Sequence, residues 1–277
     1  MKKNAVYLLM AGVLMVGMAA CGGKKANENK QEAAREKAAA EAGIPSKNLL
    51  TAEIKEETLS YLHDMPASEL PYRLANGQVK IGVGNLSYML PVQKADELTT
   101  PAQKARACGI YLSDYVVLKT LGQPGTELEK VLGKLTQDLD VTFVLNIVHE
   151  SLPPAGTGDD FGRALQAQEK QIMDQMEANN KVDMEIELLG GMAAESACFY
   201  ANPSLVVKGD ATWAGLSDNM LKRLGILQQI ISDLSNYYPD LKQLGEVLSP
   251  LKGKIGGVTE TRAAKADILS IRNALLK

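Results

Sequence analysis

The chain has 277 residues, with 30 Lys and Arg against 33 Asp and Glu and a formal net charge of −3. That balance argues against a nucleic-acid partner, which favours a concentrated basic surface. Only 3 Phe and 1 Trp occur, so a core must be built from aliphatic side chains and Met, a palette that favours helices over sheets.

Lys2 and Lys3 form a basic start, Ala5 to Met18 is an apolar run of 14 residues, and Ala19 and Ala20 lead into Cys21. This is the pattern of a signal peptide ending in a lipoprotein processing site, and the run falls short of the roughly 20 apolar residues of a membrane-spanning helix. Residues 1–20 are expected to be removed and Cys21 to carry a lipid on its thiol, so that the membrane is a partner through the anchor. Gly22 is not the aspartate that retains lipoproteins at the inner membrane, and no acidic cluster of the surface-export kind follows Lys24 and Lys25. The expected address is the outer membrane facing the periplasm, with the cell surface as the alternative.

Residues 21–46 hold the lipidated cysteine and a polar tether of Lys, Glu, Gln, Asn and Ala, closed by Gly43-Ile44-Pro45. Charged, alanine-rich sequence with no apolar face has nothing to pack against. Residues 47–277 are expected to form a single all-α domain, a compact bundle of about eight helices with mostly antiparallel neighbours.

A helix is expected near 52–63, stopped by Pro66. Residues 66–100 carry repeated Pro and Gly, and the alternation Gln78-Val79-Lys80-Ile81 suggests a strand but offers it no obvious partner, so the region reads as helix and loop. From Pro101 the pattern is firmly helical, with two apolar stripes: Cys108, Tyr111, Tyr115 and Leu118 on one, Ala105, Gly109, Leu112 and Val116 on the next. Two stripes mean a central helix touched from several sides. Pro124-Gly125 breaks it, and Thr126 with Glu129 reads as a capping box opening the next helix. Further helices are expected near 141–150, through 179 with Leu165, Ile172 and Met176 inward, over 182–200, and near 211–236, 240–251 and 258–276. In the 182–200 helix, Gly190, Gly191, Ala193, Ala194 and Ala197 are small enough for close helix packing.

Besides Cys21, the chain holds Cys108 and Cys198. An oxidising compartment permits a disulfide between them, while the alternative is that each is a small buried apolar residue.

The stretch Ala107-Cys108-Gly109-Ile110-Tyr111-Leu112-Ser113-Asp114-Tyr115, with Leu188-Leu189-Gly190-Gly191 farther on, resembles segments of uncharacterised all-helical lipoproteins of Bacteroides-type bacteria. The resemblance spans roughly residues 66–202 and implies an all-α periplasmic lipoprotein with no established activity.

No G-x-S-x-G elbow, P-loop or H-E-x-x-H spacing occurs, and the two histidines, His63 and His149, each stand beside an acid near a helix end. No catalytic residue, metal site or cofactor is expected. Glu187 and Gly191 share a helix face, as do Gly191 and Glu195, so an acid buried between packed helices is expected to need a partner, for which Arg106 and Asp114 are placed. If the bundle holds a ligand, Tyr111, Asp114, Tyr115, Glu195 and Tyr200 are expected to line it. The leading functional expectation is a non-catalytic, lipid-anchored bundle binding a small molecule or a protein partner. A structural envelope protein, or a hydrolase using buried carboxylates, is the alternative.

Overall fold

The computed structural model describes residues 52–82, 88–151 and 159–277, all inside one unit running from Leu50 to Lys277. The expected signal peptide, Cys21 and the tether lie outside the described residues. In chain order the elements are α1 (Ala52–Asp64), α2 (Glu69–Ala75), β1 (Val79–Ile81), a 3-10 helix at Val92–Glu97, α3 (Pro101–Thr120), α4 (Thr126–Asp138), α5 (Phe143–Ser151), α6 (Asp159–Ala178) and α7 (Val182–Tyr200). They continue with β2 (Leu205–Val207), α8 (Asp210–Leu234), α9 (Pro239–Leu248), a 3-10 helix at Ser249–Lys254, α10 (Val258–Ala263) and α11 (Lys265–Ala274). The all-α class expected from the composition is the class observed.

α3 starts where proline dictates. Pro101 occupies the first turn, the Thr100 hydroxyl accepts the Gln103 N–H at 3.2 Å, and the Gln103 side chain accepts the Thr100 N–H at 3.1 Å. This reciprocal cap satisfies two backbone donors that the helix itself cannot. The box expected at Thr126 does not form, because α4 begins on that residue and Gly125 takes the capping position without a side-chain bond.

α3 and α7 share the most extensive contact of any two elements and are buried almost throughout. Their approach is set by two glycines. A Cβ at Gly109 would overlap the carbonyl of Leu188, and one at Gly191 would overlap the carbonyl of Arg106. The contact is therefore reciprocal and made by bare backbone. Arg106 meets Glu187 and Gly109 meets Leu188, while Asp114 and Glu195 lie together farther on, so the two helices run in the same direction. This central pair departs from the antiparallel pattern expected of neighbours, because α3 and α7 are not joined by a short loop; three helices intervene between them.

Two apolar clusters flank the pair. One gathers side chains of α1, α2, α7, α8 and α9 around Phe199, Leu216 and Leu244; the other gathers α3 to α6 around Tyr111, Leu132 and Val144. Cys198 belongs to the first and Cys108 to the second, and both are free buried thiols rather than a disulfide. Burial lifts both thiols, Cys108 to about 12, which keeps them neutral.

The alternation at Val79-Lys80-Ile81 is a strand after all. It pairs antiparallel with β2 in the register Val79 to Val207, Lys80 to Val206 and Ile81 to Leu205, placing its partner beyond a 3-10 helix and five α-helices among the described residues. The final helix expected over 258–276 is broken at Ala264 into α10 and α11.

Gly109→Ala and Gly191→Ala are each expected to lower stability by about 3 kcal/mol in urea unfolding, since a methyl has only backbone to displace. Gly225→Ala in α8, where a Cβ would meet nothing within 4 Å, should instead add about 0.5–1 kcal/mol.

Candidate functional site

The close crossing of α3 and α7 leaves three acids of α7 inside the protein, and each is handled differently. Glu187 faces Arg106, whose Nε and Nη2 reach its two carboxylate oxygens at 2.5 and 3.1 Å. The same guanidinium donates to the carbonyls of Asp240 at 2.9 Å and Leu275 at 3.2 Å, and to Gln243 at 3.3 Å. A fully buried Arg with its fork satisfied ties α3 to α7, α9 and the end of the chain.

Glu195, one helical turn past Gly191, meets Asp114 of α3 and Arg272 of α11. Arg272 Nη1 donates to Glu195 at 3.1 Å and to the Tyr88 carbonyl at 2.5 Å. Both acids are completely buried. Burial raises the Asp114 carboxyl well above the ordinary range, and the Glu195 charge and hydrogen bond push it further. Burial also raises Glu195, but Arg272 opposes that rise, so Asp114 holds the proton and hydrogen-bonds Glu195, while the amide of Leu90 donates to Asp114 at 3.4 Å. One proton shared by two carboxyls with one guanidinium leaves the trio neutral.

Glu185 is the third acid. It is buried with neither oxygen hydrogen-bonded, and desolvation, helped by Glu177 and Asp174, pushes it up to about 9. It is a neutral carboxylic acid at pH 7.

Of the five residues expected to line a ligand, the structure brings Asp114 and Glu195 together and sends the tyrosines elsewhere. Tyr111 donates its hydroxyl to the Pro91 carbonyl at 2.9 Å, and burial raises its pKa. Tyr115 turns toward His149, with ring centroids 6.3 Å apart, and Tyr200 donates to the Leu216 carbonyl at 3.3 Å beside Trp213. All three rings serve the core, each filling a gap between elements. Sequence reasoning missed Arg272, although Ile268, Arg272 and Leu275 fall at helical spacing and put the Arg on the buried stripe.

A pocket opens beside this network, between α2, α3, α6 and α7. Its walls are apolar, with Leu70, Leu112, Val116, Leu165, Met192 and Phe199 among them, and its cavity volume is about 40 Å³. None of the five expected residues lines it. Their chain neighbours Ser113, Val116, Ser196 and Phe199 do, because Asp114 and Glu195 turn to the α11 side of the crossing. Two polar side chains of α6 complete the wall. Glu169 pairs with Arg223 at 2.5 Å and accepts the Ser68 N–H at 2.8 Å, whereas the buried Gln168 Nε2 has no acceptor.

Among the described residues no group of His, Cys, Asp and Glu is arranged to hold a metal, and no helix is long and apolar enough to cross a membrane. His63 pairs with Glu177 at 3.0 Å and His149 with Glu129 at 3.3 Å, both at the surface and across helices rather than with the adjacent acids. Comparison with protein families, curated proteins and solved structures gives no match to this chain.

Asp114 and Glu185 set the expected pH response. The folded chain keeps protons on both that an unfolded chain, with carboxyls near 4, releases. The stability they contribute is full below about pH 4 and is lost as pH rises, through about 9 for Glu185. Glu185→Gln should flatten its part of that slope, at most about 1.4 kcal/mol per pH unit, and Asp114→Asn should do likewise while still donating to Glu195. Glu195→Gln leaves Arg272 without its counter-charge and should cost about 3–5 kcal/mol. Urea unfolding from about pH 5 to about pH 9 reads all three; a wild-type stability independent of pH would contradict the protonated assignments.

Proposed function

We propose that this chain is a lipid-anchored, non-catalytic binding protein of the cell envelope that holds a small apolar molecule in the pocket between α2, α3, α6 and α7. The observation that carries this reading is the pocket itself: apolar walls with few polar groups, among them a buried donor at Gln168 that meets no acceptor, are the usual make-up of a small-molecule site. The anchor half of the proposal rests on the signal sequence ending at Cys21, and the resemblance of residues 66–202 to helical lipoproteins is in keeping with it.

A hydrolase would draw on the Asp114 and Glu195 carboxyls. These are sealed from solvent, and Arg272 and the Leu90 amide already occupy the groups a substrate would need to reach, which weighs toward a structural part for the pair. A spacer protein working through a sticky surface would call for an apolar patch, and Val206 alone is a well-exposed large apolar side chain among the described residues.

The chain from residue 22 onward keeps the whole described unit and is the material for a binding assay. Phenylnaphthylamine, a neutral apolar fluorophore, is expected to bind it saturably, and Ser196→Trp, which fills the pocket, to weaken binding at least about tenfold with the fold intact. Absence of saturable binding overturns the ligand half of the proposal. Replacing residues 1–21 with a cleavable secretion signal that lacks a lipoprotein processing site should send the chain to the soluble fraction of the envelope, and its retention with membranes overturns the anchor half.

A further inference from the structure

The chemistry of the pocket wall constrains what can sit in it. Its one charged side chain is Glu169, which already has Arg223 at 2.5 Å and the Ser68 amide at 2.8 Å, so no cationic group of the wall is left to hold an anion. An anionic head here would lie beside a carboxylate in an apolar setting, which is costly without a counter-charge. A cationic head would have to compete with Arg223 for a carboxylate whose ion pair is itself nearly buried. Ser113 donates its hydroxyl proton to the Gly109 carbonyl at 3.0 Å. The Ser68 and Ser196 hydroxyls also stand in the wall, but Gln168 holds its one fully buried donor that meets no acceptor: the residue is 3% exposed, it lines the pocket, and its Nε2 donates to nothing.

A buried amide N–H without an acceptor is destabilising, and a ligand oxygen that satisfied it would bind more tightly than the same ligand without that oxygen. We infer that the ligand is an uncharged apolar molecule carrying one hydrogen-bond acceptor, of the ketone, ester or ether class, whose oxygen receives the Gln168 Nε2 proton. This rests on the pocket reading above and adds to it the charge and the polar group of the ligand.

The test compares hexyl methyl ketone with octanoate, which has the same number of carbons but a charged head, by displacement of phenylnaphthylamine from the chain beginning at residue 22. The ketone is expected to bind at least about tenfold more tightly than octanoate at neutral pH. Gln168→Leu is expected to weaken the ketone about fivefold and to leave phenylnaphthylamine unchanged, since that probe has no carbonyl oxygen to lose. Gln168→Met, closer in shape, replaces it should the leucine variant fail to fold. Octanoate binding as tightly as the ketone, or a ketone affinity indifferent to the loss of Gln168, overturns the inference while the pocket remains a binding site. Failure of phenylnaphthylamine itself to bind overturns the pocket reading and the inference together.

Discussion

The backbone contact between α3 and α7 is the constraint on which everything else depends. Gly109 lies on the Leu188 carbonyl and Gly191 on the Arg106 carbonyl, so two helices distant in sequence meet with no side chain between them. Such closeness maximises contact between the helices but leaves little room for long side chains at the seam. Those that border it are forced either into one of the two flanking clusters or along the seam toward its ends.

The charges follow from that geometry. Glu187 and Glu195 stand one turn before and one turn after Gly191, and neither can reach water. Arg106 answers the first from within the pair, whereas the second needs Arg272 from the last helix and a proton on Asp114. Buried ion pairs contribute little net stability compared with apolar packing, yet breaking one is expensive. Their effect here is to tie the C-terminal helix to the central pair, through Arg272 to Glu195 and through the Leu275 carbonyl to Arg106. Because Asp114 and Glu195 are committed on the α11 side, the opposite side of the crossing is left to Ser113, Val116, Met192 and Phe199, and it is there that the pocket opens.

Much of this was visible in the residues. The double apolar stripe from Pro101 marked a central helix, the small residues of the 182–200 segment marked its close partner, and the spacing of Glu187, Gly191 and Glu195 required buried partners, for which Arg106 and Asp114 stood at suitable positions. The tyrosines misled because aromatic rings with a polar tip suit a binding wall and a core equally well; their hydroxyls found backbone carbonyls at Pro91 and Leu216. The strand at Val79 was readable as alternation, but its partner Leu205-Val206-Val207 is too short to declare itself.

The sequence by itself determined the class of fold and marked the two central helices, since helical periodicity and the placing of small residues are local properties of the chain. It also carries the expected address, in Lys2, Lys3, the apolar run and Cys21. Tertiary structure alone decided that the central helices run in the same direction, that Arg272 closes the carboxyl pair, that Cys108 and Cys198 stay apart in different clusters, and that Gln168 is left unsatisfied in an apolar wall. Each of these depends on which distant segments arrive at one point and on what room is left there, and neither is encoded in the spacing of residues along a single helix.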